Sequence, residues 1–315
     1  MSATAPASRL NPTGQSAACP PERVFEKRSP WIIRAGRAVR FAVRSLSDVL
    51  HAYQNARREE RLPIALLLLR IRVKQFWMKL VPSRRFRSEQ IFDWQVECLD
   101  YNSLAFIVEE IFLRGDYEFP SAVGNPLIFD CGSNIGLALF GFKRRYPTAR
   151  VIAFEPSRAT YDVLVRNVKA NELEGVELHN LALSGSAAEV EFFEDKDFPG
   201  SGKNSIFAGR GGSRLCIVQA VKLSQFLTEP VDMLKLDIEG AEEDVLAELA
   251  QSGRLQFVRQ MVMEYHHHVL PGQDRLSHTL RILEDNGFSY EFRGTVAQAP
   301  AVGGFQDLLI HAYRK

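Results

Sequence analysis

Leu127-Ile-Phe-Asp-Cys-Gly-Ser-Asn-Ile-Gly136 is a short apolar run that ends in an acid, passes through a glycine-containing turn and opens into a helical pattern. A strand feeding a tight turn in this way belongs at the mouth of an open α/β sheet, where ligands bind outside the carboxyl ends of the strands. Gly132 and Gly136 free the backbone to turn sharply and to approach a ligand closely. Alone, the pattern is shared by many nucleotide-binding folds.

The next strand, Arg150-Val-Ile-Ala-Phe-Glu-Pro156, delivers Glu155 one strand further along. An acid at the end of a second strand suits a bidentate grip on ribose hydroxyls. The turn reads D-x-G-x-x-x-G rather than G-x-G-x-x-G, which argues against a dinucleotide, whose pyrophosphate sits on the three-glycine turn at a helix N-terminus. A cofactor with ribose and adenine but no phosphate fits better, and S-adenosylmethionine is the obvious candidate.

A third landmark is Val231-Asp-Met-Leu-Lys-Leu-Asp-Ile-Glu-Gly-Ala-Glu242. With Phe129-Asp-Cys-Gly-Ser-Asn-Ile-Gly136 and Ala153-Phe-Glu-Pro156 it makes the chain resemble the FkbM family of S-adenosylmethionine-dependent methyltransferases. Weaker echoes lie at Glu109–Tyr117, Leu181–Ser184 and Glu264–His266, so that the resemblance covers roughly residues 88–315. Two departures are small: Ser133 stands where alanine is usual, and Lys222-Leu-Ser-Gln225 replaces a common Leu-Asp pair.

The alternation of patterns leads to the same fold class. Strands are expected at Leu127–Cys131, Val151–Phe154, Val176–Asn180, Met233–Leu236 and Gln260–Glu264, and helices near Ile135–Tyr146, Arg158–Asn171, Ala241–Gln251 and Leu276–Asn286. Strand–helix alternation means a parallel sheet. Phe288–Phe292 and Leu308–Tyr313 have only a loop between them and read as an antiparallel pair that finishes the sheet. The expectation is therefore an α/β, Rossmann-like sheet of the class I methyltransferase type, mostly parallel, with a basic helical N-terminal appendage. Residues 99–119 read as one helix leading into the domain, a segment that in the family closes over the cofactor. Val190–Phe193 and Leu215–Val221 read as short strands of an insertion. Its glycine-rich loop, residues 197–212, fails the Walker spacing, because Asp197 and Asn204 stand where Gly and Ser/Thr are needed. A mobile substrate flap is the better reading.

Charge divides the chain. Residues 1–88 hold 18 basic and 5 acidic residues, +13, and the remainder holds 21 and 33, −12, which leaves +1 for 315 residues. Residues 1–22, rich in Ser, Ala, Pro and Thr, read as a disordered tail, residues 23–88 as a basic amphipathic helical segment, and 89–315 as the FkbM-like domain. Helical periodicity runs over Trp31–Tyr53 and again over Pro63–Leu80. Such helices either pack their apolar stripes on the chain or a second subunit, or contact an anionic membrane surface. Cys19, Cys98, Cys131 and Cys216 show no zinc spacing, and the longest N-terminal apolar run, Ile64–Leu69, is too short to span a bilayer. A cytoplasmic protein, peripheral at a membrane if anything, is expected.

The resemblance implies site residues. Asp130, Gly132, Ser133, Asn134 and Gly136 would line the methionine and ribose side, Glu155 would hold the ribose hydroxyls, and Asn180, Leu181 and Ala182 would border the adenine. Asp237 ends the fourth strand, where it steadies the cofactor or orients the acceptor; Glu239 is either a base or an acid serving the following helix dipole, and Glu242 reads as structural. Glu264 and His266 share one strand face if that strand continues, and His266 is a candidate base. Asp237, Glu264 and His266 could form a carboxylate–histidine cluster, yet adjacent side chains in a strand point apart; no metal is expected, and His267 and His268 read as exposed loop residues. The resemblance implies a hydroxyl acceptor among saccharides, glycolipids and polyketides. The rivals are a non-catalytic cofactor-binding module and a nucleic-acid methyltransferase; the acidic catalytic half and the lack of an Asn/Asp-Pro-Pro-aromatic motif argue against the second. Oligomerisation stays open.

Overall fold

The computed structural model describes residues 41–195 (other than 42, 44, 52, 55–57, 82 and 84), 204–206, 214–267, 275–293 and 306–314. After helical residues 45–51 come α1 (Arg61–Leu80), the hairpin β1 (Ser88–Ile91) and β2 (Trp94–Glu97), and α2 (Tyr101–Val108), which runs into a π-helical turn, Glu109–Arg114. Then follow β3 (Leu127–Cys131), α3 (Leu137–Arg145), β4 (Arg150–Phe154), α4 (Arg158–Ala170), β5 (Val176–His179), β6 (Ala182–Leu183), β7 (Ala188–Glu194) and β8 (Arg214–Val221). The chain closes with β9 (Met233–Leu236), α5 (Glu242–Gln251), β10 (Gln260–His267), α6 (Leu276–Asp285), β11 (Phe288–Arg293) and β12 (Gln306–Arg314).

Seven strands form the central sheet in the order β11-β12-β10-β9-β3-β4-β5. The pairs β3–β4, β4–β5, β3–β9 and β9–β10 are parallel, while β12 runs antiparallel to both β10 and β11. One reversed strand slotted between β10 and β11 is the ending expected for a class I methyltransferase sheet. All residues of β3 and β9 are buried, as central parallel strands require when helices cover both faces. The chain moves outward from β3 to β4 and β5, then returns to add β9 on the other side. The crevice between the carboxyl ends of β3 and β9 is thus the topological switch point. The insertion forms a separate sheet, β6-β8-β7.

Several expected boundaries shift. The helix expected over 99–119 is α-helical only for Tyr101–Val108, capped by the Asp100 side chain, which accepts from Ser103 N at 2.7 Å. The π turn follows and Gly115, at φ 63°, ends it. The strand expected to reach Asn180 stops at His179, and β10 extends to His267, so His267 lies on a strand and not in a loop. The hairpin β1–β2 carried no clear period in the sequence. Of the first expected helix, residues 31–40 lie outside the described residues, as do the tail, His268 and most of the glycine-rich loop.

The division at residue 88 does not separate two cores. Ile64, Leu67, Leu68 and Ile71 of α1 join one buried cluster with Val96, Leu104, Leu139 and Phe140. Trp94 meets Phe140 at 5.1 Å between ring centroids. Beneath the hairpin, Glu89 is buried and held by Arg70 and Lys74 of α1, at 2.7 and 2.8 Å, and by Tyr101. The apolar stripe of α1 that faces inward is therefore part of the catalytic body.

Candidate active site

The strand ends at the switch point are packed against each other. A side chain at position 132 would place its first carbon 1.7 Å from the Asp237 carbonyl oxygen, and the residue sits at φ 83°, so only glycine fits. The positive φ is the sharp turn expected of Gly132, and the close approach that excludes a side chain is to the backbone of Asp237. Gly136, at φ 95°, starts α3, and its missing side chain makes room for Leu164.

A cavity of about 760 Å³ opens over these strand ends. Its wall contains Gly132, Ser133, Asn134, Glu155, Leu181, Ala182, Asp237, Glu239 and Glu264 from the expected set. Asp130, Gly136, Asn180 and His266 are not among the wall residues. Each has another place. Asp130 is fully buried and 3.4 Å from Lys235 Nζ. Asn180 uses its amide to donate to the carbonyls of Glu155 and Pro156, at 2.8 and 3.0 Å. His266 is buried behind the acids it contacts.

Two clusters furnish the cavity. In the first, Glu155 accepts from Asn134 N at 3.0 Å and from Ser157 N at 2.9 Å. Burial still outweighs those backbone donors and raises its pKa to about 7. Ser133 turns its hydroxyl to the Asp130 carbonyl at 2.7 Å. In the second, Lys235 is the hub. Its Nζ lies 3.2 Å from Asp237 and donates to the Gly132 carbonyl at 2.8 Å. Burial opposes its charge, but Asp237 and Asp130 prevail and hold the ammonium above its ordinary pKa. For Asp237 the opposing effects are the same: burial pushes up, Lys235 and then His266 pull down, and the net direction is down.

The Tyr117 hydroxyl bridges the cluster, 3.1 Å from Asp237 Oδ2 and 3.3 Å from Glu264 Oε2. Burial first, then the charge of Asp237, raises Glu264 to about 7. Glu110, in the π turn, rises to about 8 through burial and the nearby Glu264 and Asp237. Glu242 ties the loop after β9: it accepts from Ile238 N and Gly240 N at 3.0 Å and meets His266 Nδ1 at 2.8 Å. Its reading as structural suits this geometry. The loop carries Glu239 at φ 60°, and Ser205 donates to the Glu239 carbonyl at 2.5 Å. His266 Nε2 lies 3.2 Å from Glu239 and 3.9 Å from Glu264. Among the described residues two sets have ligand atoms within 4.8 Å of one another, Asp237–Glu239–His266 and Glu264–His266–Asp307. The grouping of Asp237, Glu264 and His266 weighed and set aside in the sequence is thus split over two sets.

Lys235, Tyr117, Glu110 and Asp307 escaped the sequence reading. Lys235 had a signal: a lysine amid Met-Leu-x-Leu of a central strand must have buried partners. Tyr117 lay in a segment expected to close over the cofactor, but nothing local marked its hydroxyl, which reaches Asp237 from 120 residues before it.

The methyltransferase FkbM domain model matches residues 130–290, slightly more than half of the chain. Methyltransferase sdnD of Sordaria araneosa is 33% identical over 191 residues, covering 50% of this chain and 73% of its own. Methyltransferase 1 of Beauveria bassiana is 31% identical over 164 residues, covering 45% and 65%. The crystal structure of a methyltransferase FkbM from Methylobacillus flagellatus KT is 15% identical with a TM-score of 0.44, covering 86% of this chain and 59% of that one. The cavity suits the cofactor such enzymes use. Its size is that of a small-molecule site, Glu155 is held by two backbone donors just beyond β4, and among the described residues acids outnumber lysines in its wall, which suits a cationic sulfonium. The chain belongs to the FkbM family of S-adenosylmethionine-dependent methyltransferases.

Proposed function

We propose that the chain methylates a hydroxyl of a saccharide, glycolipid or related natural product, with Glu264 as general base. One observation carries the reading: a wall carboxyl, hydrogen-bonded to Tyr117 and next to Asp237, whose burial and charged neighbour push its pKa up to about 7. Alkylating a hydroxyl needs its proton removed as the bond forms, and a base with a pKa near the working pH does that best. S-adenosylmethionine, when bound, supplies an activated methyl group. The protein's own contributions are positioning and proton handling. Glu155 and the Ser133–Asn134 turn would hold the donor side. Tyr117 and Lys235 fix Asp237 and Glu264, and Glu242 fixes His266 against the Glu239 loop.

The remaining wall supports a mixed acceptor. Phe106, Ile107, Ile206 and Ile238 give it an apolar side, and Asn102, Ser103 and Asn204 offer hydrogen bonds. Its acidity disfavours a polyphosphate chain such as nucleic acid.

The test is release of S-adenosylhomocysteine on incubation with S-adenosylmethionine and a panel of hydroxylated saccharides and glycolipids. Turnover on at least one is expected. Donor binding with no turnover on any acceptor would favour a non-catalytic module. Calorimetry on Glu155→Ala should show donor affinity reduced about 10- to 100-fold, the effect of losing hydrogen bonds to a charged group. Unchanged affinity would remove Glu155 from the donor site.

A further inference from the structure

α1 is apolar on two opposite sides. One is the buried side already described. On the other, Leu62, Leu66, Leu69, Val73, Trp77 and Leu80 recur at steps of three and four and are each between 44% and 60% exposed. An exposed apolar stripe along a whole helix calls for a second apolar partner. The helical stretch around residues 45–51 repeats the feature with Val43, Leu46, Leu50 and Tyr53, also exposed. Asp48 of that stretch is paired with Arg72 of α1 at 3.0 Å, which keeps the two elements together.

The geometry points to an anionic lipid surface as the partner of this outer face of α1. Charge selects it. α1 carries Arg61, Arg70, Arg72, Lys74 and Lys79 and no acid; Glu89, Asp48 and Glu109 pair with three of these, exposed Arg85 and Arg87 follow, and a basic excess remains beside the stripe. A second copy docked stripe to stripe would bring two such basic helices together. Residues 1–40 are also basic, with 7 Lys+Arg and 2 Asp+Glu, so they add to the positive charge at this end of the chain. Anionic headgroups attract it, and the half-exposed Trp77 is the side chain that favours the headgroup boundary. The charge split of the chain, +13 before residue 89 and −12 after it, turns the basic end toward such a surface and the acidic body away. The helix lies on the bilayer and does not cross it: among the described residues, no helix is long and apolar enough to span a membrane.

The surface also has a bearing on the cavity. Gln75 of α1 donates to Asn102 of α2 at 3.0 Å, and Asn102 is a wall residue. The inference itself is independent of the acceptor and of the methyl transfer.

The full chain is sedimented with vesicles of phosphatidylcholine alone and of phosphatidylcholine mixed with phosphatidylglycerol, at physiological salt. Binding to the mixed vesicles only is expected, and it should weaken about tenfold or more in the double variant Leu66→Glu/Trp77→Glu, since stable attachment needs both apolar insertion and charge. Both positions are exposed, so calorimetric binding of S-adenosylmethionine should stay at the wild-type value and report an intact fold. Three results would overturn the inference. One is equal vesicle binding by the variant and the wild type. Another is a concentration-dependent dimer that the variant abolishes, which assigns the stripe to a second copy. The third is absence of vesicle binding with Trp77 shielded from a soluble quencher, which assigns it to the chain's own N-terminal residues.

Discussion

Lys235→Met is expected to destabilise the folded protein by about 3–5 kcal/mol, the usual consequence of removing one partner from a buried ion pair. The ammonium is 3% exposed and stands between Asp130, which is fully buried, and Asp237. Without it, two carboxylates face each other beneath the cavity with no cation between them. The pH dependence should reverse as well. In the wild type the folded pKa of Asp237 is lowered, so its contribution is present above the unfolded pKa and is lost as pH falls through the folded one. In the variant Asp237 should lose its lowered pKa and Asp130, already raised by burial against the pull of Lys235, should rise further, so the deficit shrinks as pH falls and they protonate. Urea unfolding of both proteins at neutral and at mildly acidic pH checks this. An equal deficit at both would mean that Lys235 acts by packing alone.

Glu264→Gln should lower kcat by about 10²- to 10⁴-fold, the range for loss of a positioned general base. In the wild type, kcat should rise with pH through about 7, where Glu264 deprotonates, and then level. The variant should lose that limb. Stability should move the other way. A carboxyl raised above its unfolded pKa loses stability as pH climbs from the unfolded toward the folded value, so glutamine, which keeps a partner for Tyr117, should make the protein more stable than wild type above pH 7. Glu155, at about 7, and Glu110, at about 8, add the same slope to the wild type. Retained kcat at alkaline pH in Glu264→Gln would transfer the base role to another group of the cluster.

What was legible in the sequence was whatever has a local period or a local turn. The strands β3 and β9 have the bounds expected of them, and the acid just after β4 could be placed one strand away from the glycine turn. The site was less legible because its members are assembled across the sheet. Asp130 lies in the motif that announces the fold, yet its side chain points into the sheet toward Lys235 and is absent from the cavity wall. Asn180, expected at the adenine, uses its side-chain amide to hold the backbone of Glu155 and Pro156. The reason Gly132 must be glycine lies 105 residues away, in the backbone of Asp237. The π turn that brings Glu110 to the wall leaves no mark in an apolar pattern of period 3.6.

The core that α1 shares with α2 and α3 has a consequence for anyone trimming this protein to its catalytic portion. The family match begins at residue 130, and the sequence suggests a cut near 88. Either cut removes Ile64, Leu67, Leu68 and Ile71 from above Leu139 and Phe140, and the first also removes Leu104 from the core and Glu110 and Tyr117 from the cavity. A shortened chain would present a wet, apolar flank where the enzyme has an interior, and insolubility after truncation would report that missing lid of the core rather than a fault in the methyl-transfer site.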